Sequence, residues 1–480
     1  MSKGALRAIA PLLDSYLTYF ESTELPFCIP GHKQRASLLD EDLGKVVDSD
    51  IPLYGGLDDM KVSKGTLREA ERLAGQLWDG DWARFSTGGS THANQALVFS
   101  LGKPGDKVAI SRTAHRSILT ALVLAGLEPL WLSPEIDQAT GVPIGISLRE
   151  FERVLPEKPI ALLLTEPGYL GTISDLPPLI KAAHENSIPV IIDAAWGGHF
   201  GFHSSFPKHP MQLGADAFVT SLHKALPGYG ASALAIAKTQ RLDRARLEQG
   251  FESTHTTSPP GASLASIDGV RALVQTRGEE LLEKLLANVT IFRARLESEF
   301  GEGILLKVDD FALNRFDPSK LILRANTLGA DGVQIEKELV SMGVHVEMAD
   351  RDTLILLATI ADDESTLSQL AKLLIPILNK SRGNPRESHA ALSWSISPTF
   401  GISMREAYFA PSELVNSSVA EGRISSDLIA PYPPGVAVIA PGEVITREVL
   451  NGLLGAKADG VRIAYATDSS LNKFRVIKSS

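Results

Sequence analysis

Residues 189–196 read Pro189-Val190-Ile191-Ile192-Asp193-Ala194-Ala195-Trp196, three β-branched apolar side chains running into an acid. So short an apolar run, opened by a proline, reads as a β-strand. Runs of the same kind occur at 107–110, 159–165, 217–221 and 232–237, and the stretches between them, 176–187 for one, carry apolar residues at helical spacing. The alternation is βαβ, so the chain is α/β with a mostly parallel sheet. Such sheets bind ligands at the carboxyl ends of their strands, and Asp193 stands at one of those ends.

Beyond this sheet, residues 261–300 form one long helical region, with Val270, Val274, Leu285, Val289 and Leu296 near a single stripe. Short strands at 304–308, 320–325, 344–348 and 354–359 alternate with helices near 333–341 and 364–379, which makes a second, smaller α/β unit. Residues 380–388 are polar, with Gly383 and Pro385, and read as a linker. The tail from residue 390 is turn-rich around 431–435 and 441–443, too much so for an independent domain, and is expected to pack on the main body.

At ~150 residues per domain, 480 residues correspond to about three structural units. Hydrophobic residues at 44% and charged residues at 22% are globular values, and the 40 Gly and 28 Pro are scattered, so fibrous and low-complexity classes drop out. The 47 basic against 57 acidic residues give −10, a charge repelled by nucleic acid and by anionic lipid. The single cysteine, Cys28, can make neither an intramolecular disulfide nor a cysteine metal site, which fits a reducing cytoplasm, and beside Phe27 and Ile29 it reads as a small core residue. Asp14 interrupts the N-terminal apolar stretch, and the longest apolar runs, 119–127 and 160–164, fall short of the ~20 residues of a membrane span.

Four clusters carry chemistry. Ser221-Leu222-His223-Lys224 follows the strand at 217–221 and precedes Pro227-Gly228-Tyr229-Gly230. A lysine there can be partly desolvated, freeing its amine to condense with an aldehyde, although most lysines are plain surface charges. Thr87-Gly88-Gly89-Ser90-Thr91 lies between a strand end and a helix, where glycines let the backbone approach and helix N–H groups join two hydroxyls around a phosphate; the same residues suit an ordinary helix cap. Asp193 can keep a pyridine nitrogen protonated or can cap a helix. His115, after the strand at 107–110, can lie over a ring or can likewise be a cap. His199, His203 and His209 sit on a Gly-rich loop without the spacing of a metal helix, so no metal is expected.

The motifs Pro30-Gly31-His32-Lys33, Gly89-Ser90-Thr91, His115-Arg116-Ser117, Thr165-Glu166-Pro167-Gly168-Tyr169, Asp193-Ala194-Ala195-Trp196, Ser221-Leu222-His223-Lys224, Thr256-Thr257-Ser258-Pro259, Pro431-Tyr432-Pro433-Pro434-Gly435 and Pro441-Gly442-Glu443 occur in this order. In them the chain resembles the Orn/Lys/Arg decarboxylases of the aspartate aminotransferase fold, in a short form without the N-terminal wing domain. The resemblance implies pyridoxal 5'-phosphate as cofactor, with Lys224 as its Schiff-base lysine and Asp193 at the pyridine nitrogen. It places Gly89, Ser90, Thr91, Ser221 and His223 at the phosphate, His115 on the ring, Trp196 in the wall, and Glu443 at the distal cation of the substrate. Thr113-Ala114 before His115, Arg116 after it and Ala194-Ala195-Trp196 after Asp193 depart from the family pattern, which loosens substrate identity but leaves the lysine and aspartate roles intact.

The expected division is 1–80 for an N-terminal arm and the start of the large domain, 81–262 for the PLP-binding large domain, 263–385 for the long helix and small α/β domain, and 386–480 for a C-terminal extension. The expected activity is decarboxylation of a basic L-amino acid, arginine before lysine or ornithine, in a cytoplasmic homodimer or higher even oligomer that binds neither nucleic acid nor membrane. An aminotransferase or aldol lyase would use the same lysine and aspartate, and a non-catalytic protein could retain the pocket.

Overall fold

The computed structural model describes residues 5–22, 30, 32–51, 65–311, 315–387, 399–432, 435–458 and 461–478. Cys28 with Phe27 and Ile29, Gly31 of the Pro30 motif, and Pro433-Pro434 lie outside the described residues. Strands β1 (Trp82–Ser86), β2 (Lys107–Ser111), β3 (Glu128–Leu132), β4 (Glu135–Ile136), β5 (Pro143–Gly145), β6 (Leu162–Thr165), β7 (Val190–Asp193), β8 (Ala217–Ser221) and β9 (Ala233–Ala237) come first in the chain. Seven of them form a sheet in the order β1-β9-β8-β7-β6-β2-β3. β2 is parallel to β3 and β6, and β7 to β8, while β9 runs against both β8 and β1. The fold is α/β with a mostly parallel sheet, as the run of apolar segments implied.

Contacts divide the chain into two compact units, one of residues 1–101, 191–204 and 208–282, the other of 102–190, 205–207 and 283–480. Within the first, β9 sets a level that the site uses: Ala233 is opposite Ser221 on one side and Ser86 on the other. The carboxyl ends of β1 and β8 therefore lie level, on either side of β9. Helix Gly89–Phe99 starts three residues after β1 ends and packs on β9. The N-terminal helix Pro11–Ser22 is tied to the long helix Gly261–Phe300 by a buried pair, Asp268 with Arg271 at 2.6 Å. Asp268 Oδ2 accepts the Leu12 amide at 2.8 Å, and Arg271 donates to the Ile9 carbonyl. An acid and a base from one helix turn thus satisfy backbone groups of a remote segment.

In the second unit β10 (Leu321–Arg324), β11 (Met348–Ala349) and β12 (Thr353–Leu356) make an antiparallel sheet in the order β10-β12-β11, accompanied by helices Gly332–Ser341 and Glu364–Lys380. Two expected strands shrink. The stretch at 304–308 keeps one bridge, Leu305 to Leu323, because the Asp310 carboxylate takes the Lys307 amide at 2.8 Å and turns the chain into the short helix Val308–Asp310. That at 344–348 pairs only from Met348. The stretch read as a linker is pinned instead: Arg386 donates to Gly329 O, Ala330 O and the Asp352 carboxylate, and Gly383 N reaches Leu328 O.

The tail departs most from expectation, because it has a core of its own. Strands β13 (Ser412–Asn416) and β16 (Lys473–Ile477) pair, as do β14 (Ala430–Tyr432) and β15 (Arg462–Ala464), and helix Arg447–Ala458 packs with them. Ile429, Val438, Ile445, Val449, Leu453 and Phe474 close that core. β16 alternates polar and apolar residues, but the strands' partners are remote along the chain.

Replacing Asp268 by alanine leaves Arg271 buried without its acid and the Leu12 amide without its acceptor. Chemical denaturation should show a loss of about 3–5 kcal/mol, against less than about 1 kcal/mol for Asp14→Ala, whose pair with Arg7 is solvent-exposed.

Candidate active site

The carboxylate ending β7 is almost dry, with Asp193 2% exposed. A charge so placed needs hydrogen bonds. Asp193 Oδ2 accepts from Asn94 Nδ2 at 2.9 Å, and Oδ1 accepts the Ala195 amide at 3.2 Å. Asn94, itself buried, lies one turn beyond Ser90 on helix Gly89–Phe99, so the two share a helix face. The Ser221 hydroxyl donates to Ser90 Oγ at 3.2 Å. One helix thus touches both strand ends, through Ser90 at β8 and through Asn94 at β7.

The first turn of that helix is made by backbone geometry. Gly89 has φ of +68°, a conformation costly for any residue with a Cβ, and donates to Ala231 O at 2.7 Å. Ser86 Oγ lies 3.0 Å from Gly89 O and 2.8 Å from His92 Nδ1, to which it gives its proton when Nε2 donates to Phe251 O at 3.3 Å. Burial, reinforced by the nearby His255 ring, pushes the His92 imidazole down to about 4. It is neutral at ordinary pH, one ring nitrogen donating and the other accepting. Ser90 is half-buried and Thr91 exposed in the same turn, where the helix dipole is positive.

Past β8, His223 Nδ1 lies 3.0 Å from Ser232 O, and the half-buried Lys224 places its ammonium 4.2 Å from the centroid of the Trp196 ring. Within the first unit, then, Gly89, Ser90, Thr91, Asp193, Trp196, Ser221, His223 and Lys224 gather at the carboxyl ends of β1, β7 and β8. Asn94 and His92 belong with them and were not singled out by the sequence. The available signal was the four-residue step from Ser90 to Asn94.

His115 and Glu443 are in the second unit. His115 is exposed and caps helix Arg116–Ala125, Nδ1 accepting the Ser117 amide at 3.2 Å. Glu443 is 0% exposed. Its Oε1 accepts from Arg112 Nη1 at 2.6 Å and Trp131 Nε1 at 2.9 Å, its Oε2 from Arg112 Nη2 at 3.1 Å and the Ala440 amide at 2.7 Å. A carboxylate sealed from solvent and already holding four donors has no room for a substrate cation, so the expected substrate role of Glu443 is withdrawn.

Residues 10–311 match the family described as Orn/Lys/Arg decarboxylase, major domain, and residues 402–457 match its C-terminal domain. The chain belongs to the Orn/Lys/Arg decarboxylase family. It is 31% identical to an arginine decarboxylase of Bacillus subtilis (strain 168) over 98% of each chain. Against an arginine decarboxylase of Bacillus anthracis the identity is 30%, over 98% of this chain and 97% of that one. Among solved structures, lysine decarboxylase A from Pseudomonas aeruginosa superposes with a TM-score of 0.83 at 18% identity, covering 99% of this chain and 81% of that one. Membership of this decarboxylase family also accounts for the separate core of the tail, since its C-terminal domain is matched as a domain in its own right.

The neutral His92 links the site to acid stability. Its proton affinity is lower folded than unfolded, so stability is complete above ~6.5 and declines as pH falls toward about 4. Denaturant melts across that window should show the wild type losing up to about 3 kcal/mol that His92→Gln does not lose.

Proposed function

We propose that this chain is a pyridoxal-phosphate-dependent decarboxylase of a basic L-amino acid, with arginine the first candidate and lysine or ornithine next. The observation that carries the reading is the Asp193 carboxylate, buried at the end of β7 and held by Asn94, on the same sheet edge as Lys224. The donor set fits the cofactor: a dry carboxylate, an amine against an aromatic ring, and hydroxyls at a helix N-terminus. Pyridoxal phosphate, when bound, supplies an aldehyde that takes the substrate amine and a protonated pyridine that draws off the electron pair left as the carboxylate departs.

The chain's own residues then divide the work. Lys224 would hold the cofactor's aldehyde, and Lys224 or a neighbouring acid would return a proton to the substrate Cα. Trp196 flanks its ammonium as a wall that favours a cation. Asp193 would take the pyridine N–H, its carboxylate oriented by Asn94 on one oxygen and the Ala195 amide on the other. Gly89, Ser90 and Thr91 with the helix N–H groups, joined by Ser221 and His223, hold the phosphate. His115 stacks on the ring. Support for arginine comes from the two Bacillus relatives named arginine decarboxylase, matched over almost the whole chain. We assign a two-fold homodimer or higher even oligomer in the cytoplasm, since isologous pairing is the commonest closure. Among the described residues no helix is long and apolar enough to cross a membrane.

Purified with cofactor, the wild type should release CO₂ from one of arginine, lysine and ornithine in preference to the other two; production of an oxo-acid instead would make it an aminotransferase. Lys224→Ala should lose both turnover and the visible absorption of the lysine-bound cofactor. Asp193→Asn should retain cofactor yet lose about 10² in kcat, each tenfold being ~1.4 kcal/mol of barrier. A wild-type kcat in that variant would remove Asp193 from the mechanism.

A further inference from the structure

The pair formed by Arg112 and Glu443 joins two stretches far apart in sequence, both in the second unit. Arg112 follows β2 directly, and its amide donates to Leu132 O at 2.8 Å, the next residue along the parallel pairing with β3. Its guanidinium leaves the sheet and enters the C-terminal segment, where Nη1 and Nη2 fork onto the Glu443 carboxylate and Nη2 also donates to Val438 O at 2.7 Å. The side chains of both residues are essentially without solvent exposure, at 2% and 0%. The Trp131 ring, on β3, lies 4.4 Å from the guanidinium carbon and gives its own N–H to Glu443. On the far side of the pair, Glu443 is set by its backbone, which bridges to Phe400 and accepts the Ser425 amide.

Two residues separate Arg112 from His115. In between, Thr113 Oγ1 meets Ser111 Oγ at 2.6 Å and the Ala114 amide donates to Ser111 O at 3.0 Å, a closed turn with little slack. His115 then caps the next helix. A fork anchored at Arg112 therefore fixes where this turn starts, and the cap fixes where it ends. A buried bidentate arginine–carboxylate pair is directional, and apolar side chains that fill the same volume do not reproduce that direction.

We propose that Glu443 is a positioning residue: by gripping Arg112 it lets the C-terminal segment set the turn that carries His115. The proposal rests on the placement of His115 at the cofactor ring in the reading above. It gives Pro441-Gly442-Glu443 a function different from substrate recognition. Gly442, at φ +90° and with a Cβ position 2.6 Å from Ile402 O, keeps the tight approach that delivers the glutamate.

The test separates positioning from bulk stability. Removing one partner of a buried pair destabilises strongly, whereas replacing both by apolar residues of similar volume is often neutral. Arg112→Met with Glu443→Leu should therefore lose less stability than Glu443→Leu alone, its remaining loss coming from the Trp131 N–H, the Ala440 amide and Val438 O left unpaired, while its amides at 112–118 exchange with solvent about tenfold faster or more. Cofactor content should hold and kcat/KM should fall, and adding His115→Ala should lower kcat/KM no further, because the two changes act through one ring. Wild-type exchange at 112–118 in the paired variant would overturn the proposal. Losses that multiply with His115→Ala would overturn it as well. An unaltered kcat/KM in His115→Ala alone would remove His115 from the cofactor, and the exchange result would still decide whether Glu443 sets the turn. Should the paired variant not fold, Glu443→Gln in the holoenzyme carries the same exchange comparison.

Discussion

A carboxylate taken out of water costs several kcal/mol unless donors replace the solvent, and the Asp193 side chain at the end of β7 is taken out of water almost completely. Asn94 supplies one donor and the Ala195 amide the other. To place Asn94, helix Gly89–Phe99 must begin within a narrow window after β1, which its Gly89 turn and the Ser86 and His92 hydrogen bonds enforce. The same helix then presents Ser90 to Ser221. The residues proposed for the pyridine nitrogen and for the phosphate are thus set by one rigid element, ~6 Å apart along its axis.

The second buried carboxylate works by another rule. Glu443 is paired with a full positive charge and given two further donors. Such a pair adds little net stability compared with apolar packing, but it is selective about geometry. That fits a segment whose own core is formed by short strands and one helix. The tail folds through its apolar residues and meets the β2–β3 region through the Arg112–Glu443 fork, through Arg405 on the Val123 and Leu124 carbonyls and through the Trp131 ring stacked with Phe400.

Much of this was legible along the chain. The run Val190-Ile191-Ile192-Asp193 is apolar on successive residues and ends in an acid, and its strand ends at that acid. The 40-residue helix Gly261–Phe300 was found with both its ends. Expectation failed where neighbours outside the local window decide. Residues 304–308 are strand-like in composition, yet an Asp310 side chain competes for a backbone amide that a ladder would have used. The stretch at 380–388 is polar and glycine-containing, yet Arg386 finds three carbonyls and a carboxylate brought together by the stretches at 329–330 and 351–352.

For the site the division is sharper. Sequence alone determined which residues are capable of the chemistry, because a lysine after a strand, an acid at a strand end and a glycine-serine-threonine turn each follow from local order. It also determined that the sheet is mostly parallel, since periodicity is a local property. Only the tertiary structure decided which acid is paired with a buried charge. Asp193 ends an apolar run and Glu443 follows a Pro-Gly turn, and nothing within a few residues of either names its partner. The difference is Arg112, 331 positions from Glu443 in the chain, which neutralises one carboxylate, while the neutral amide of Asn94 orients the other. Coulombic and hydrogen-bond partners act through space at a few ångströms, and sequence separation carries no record of that distance.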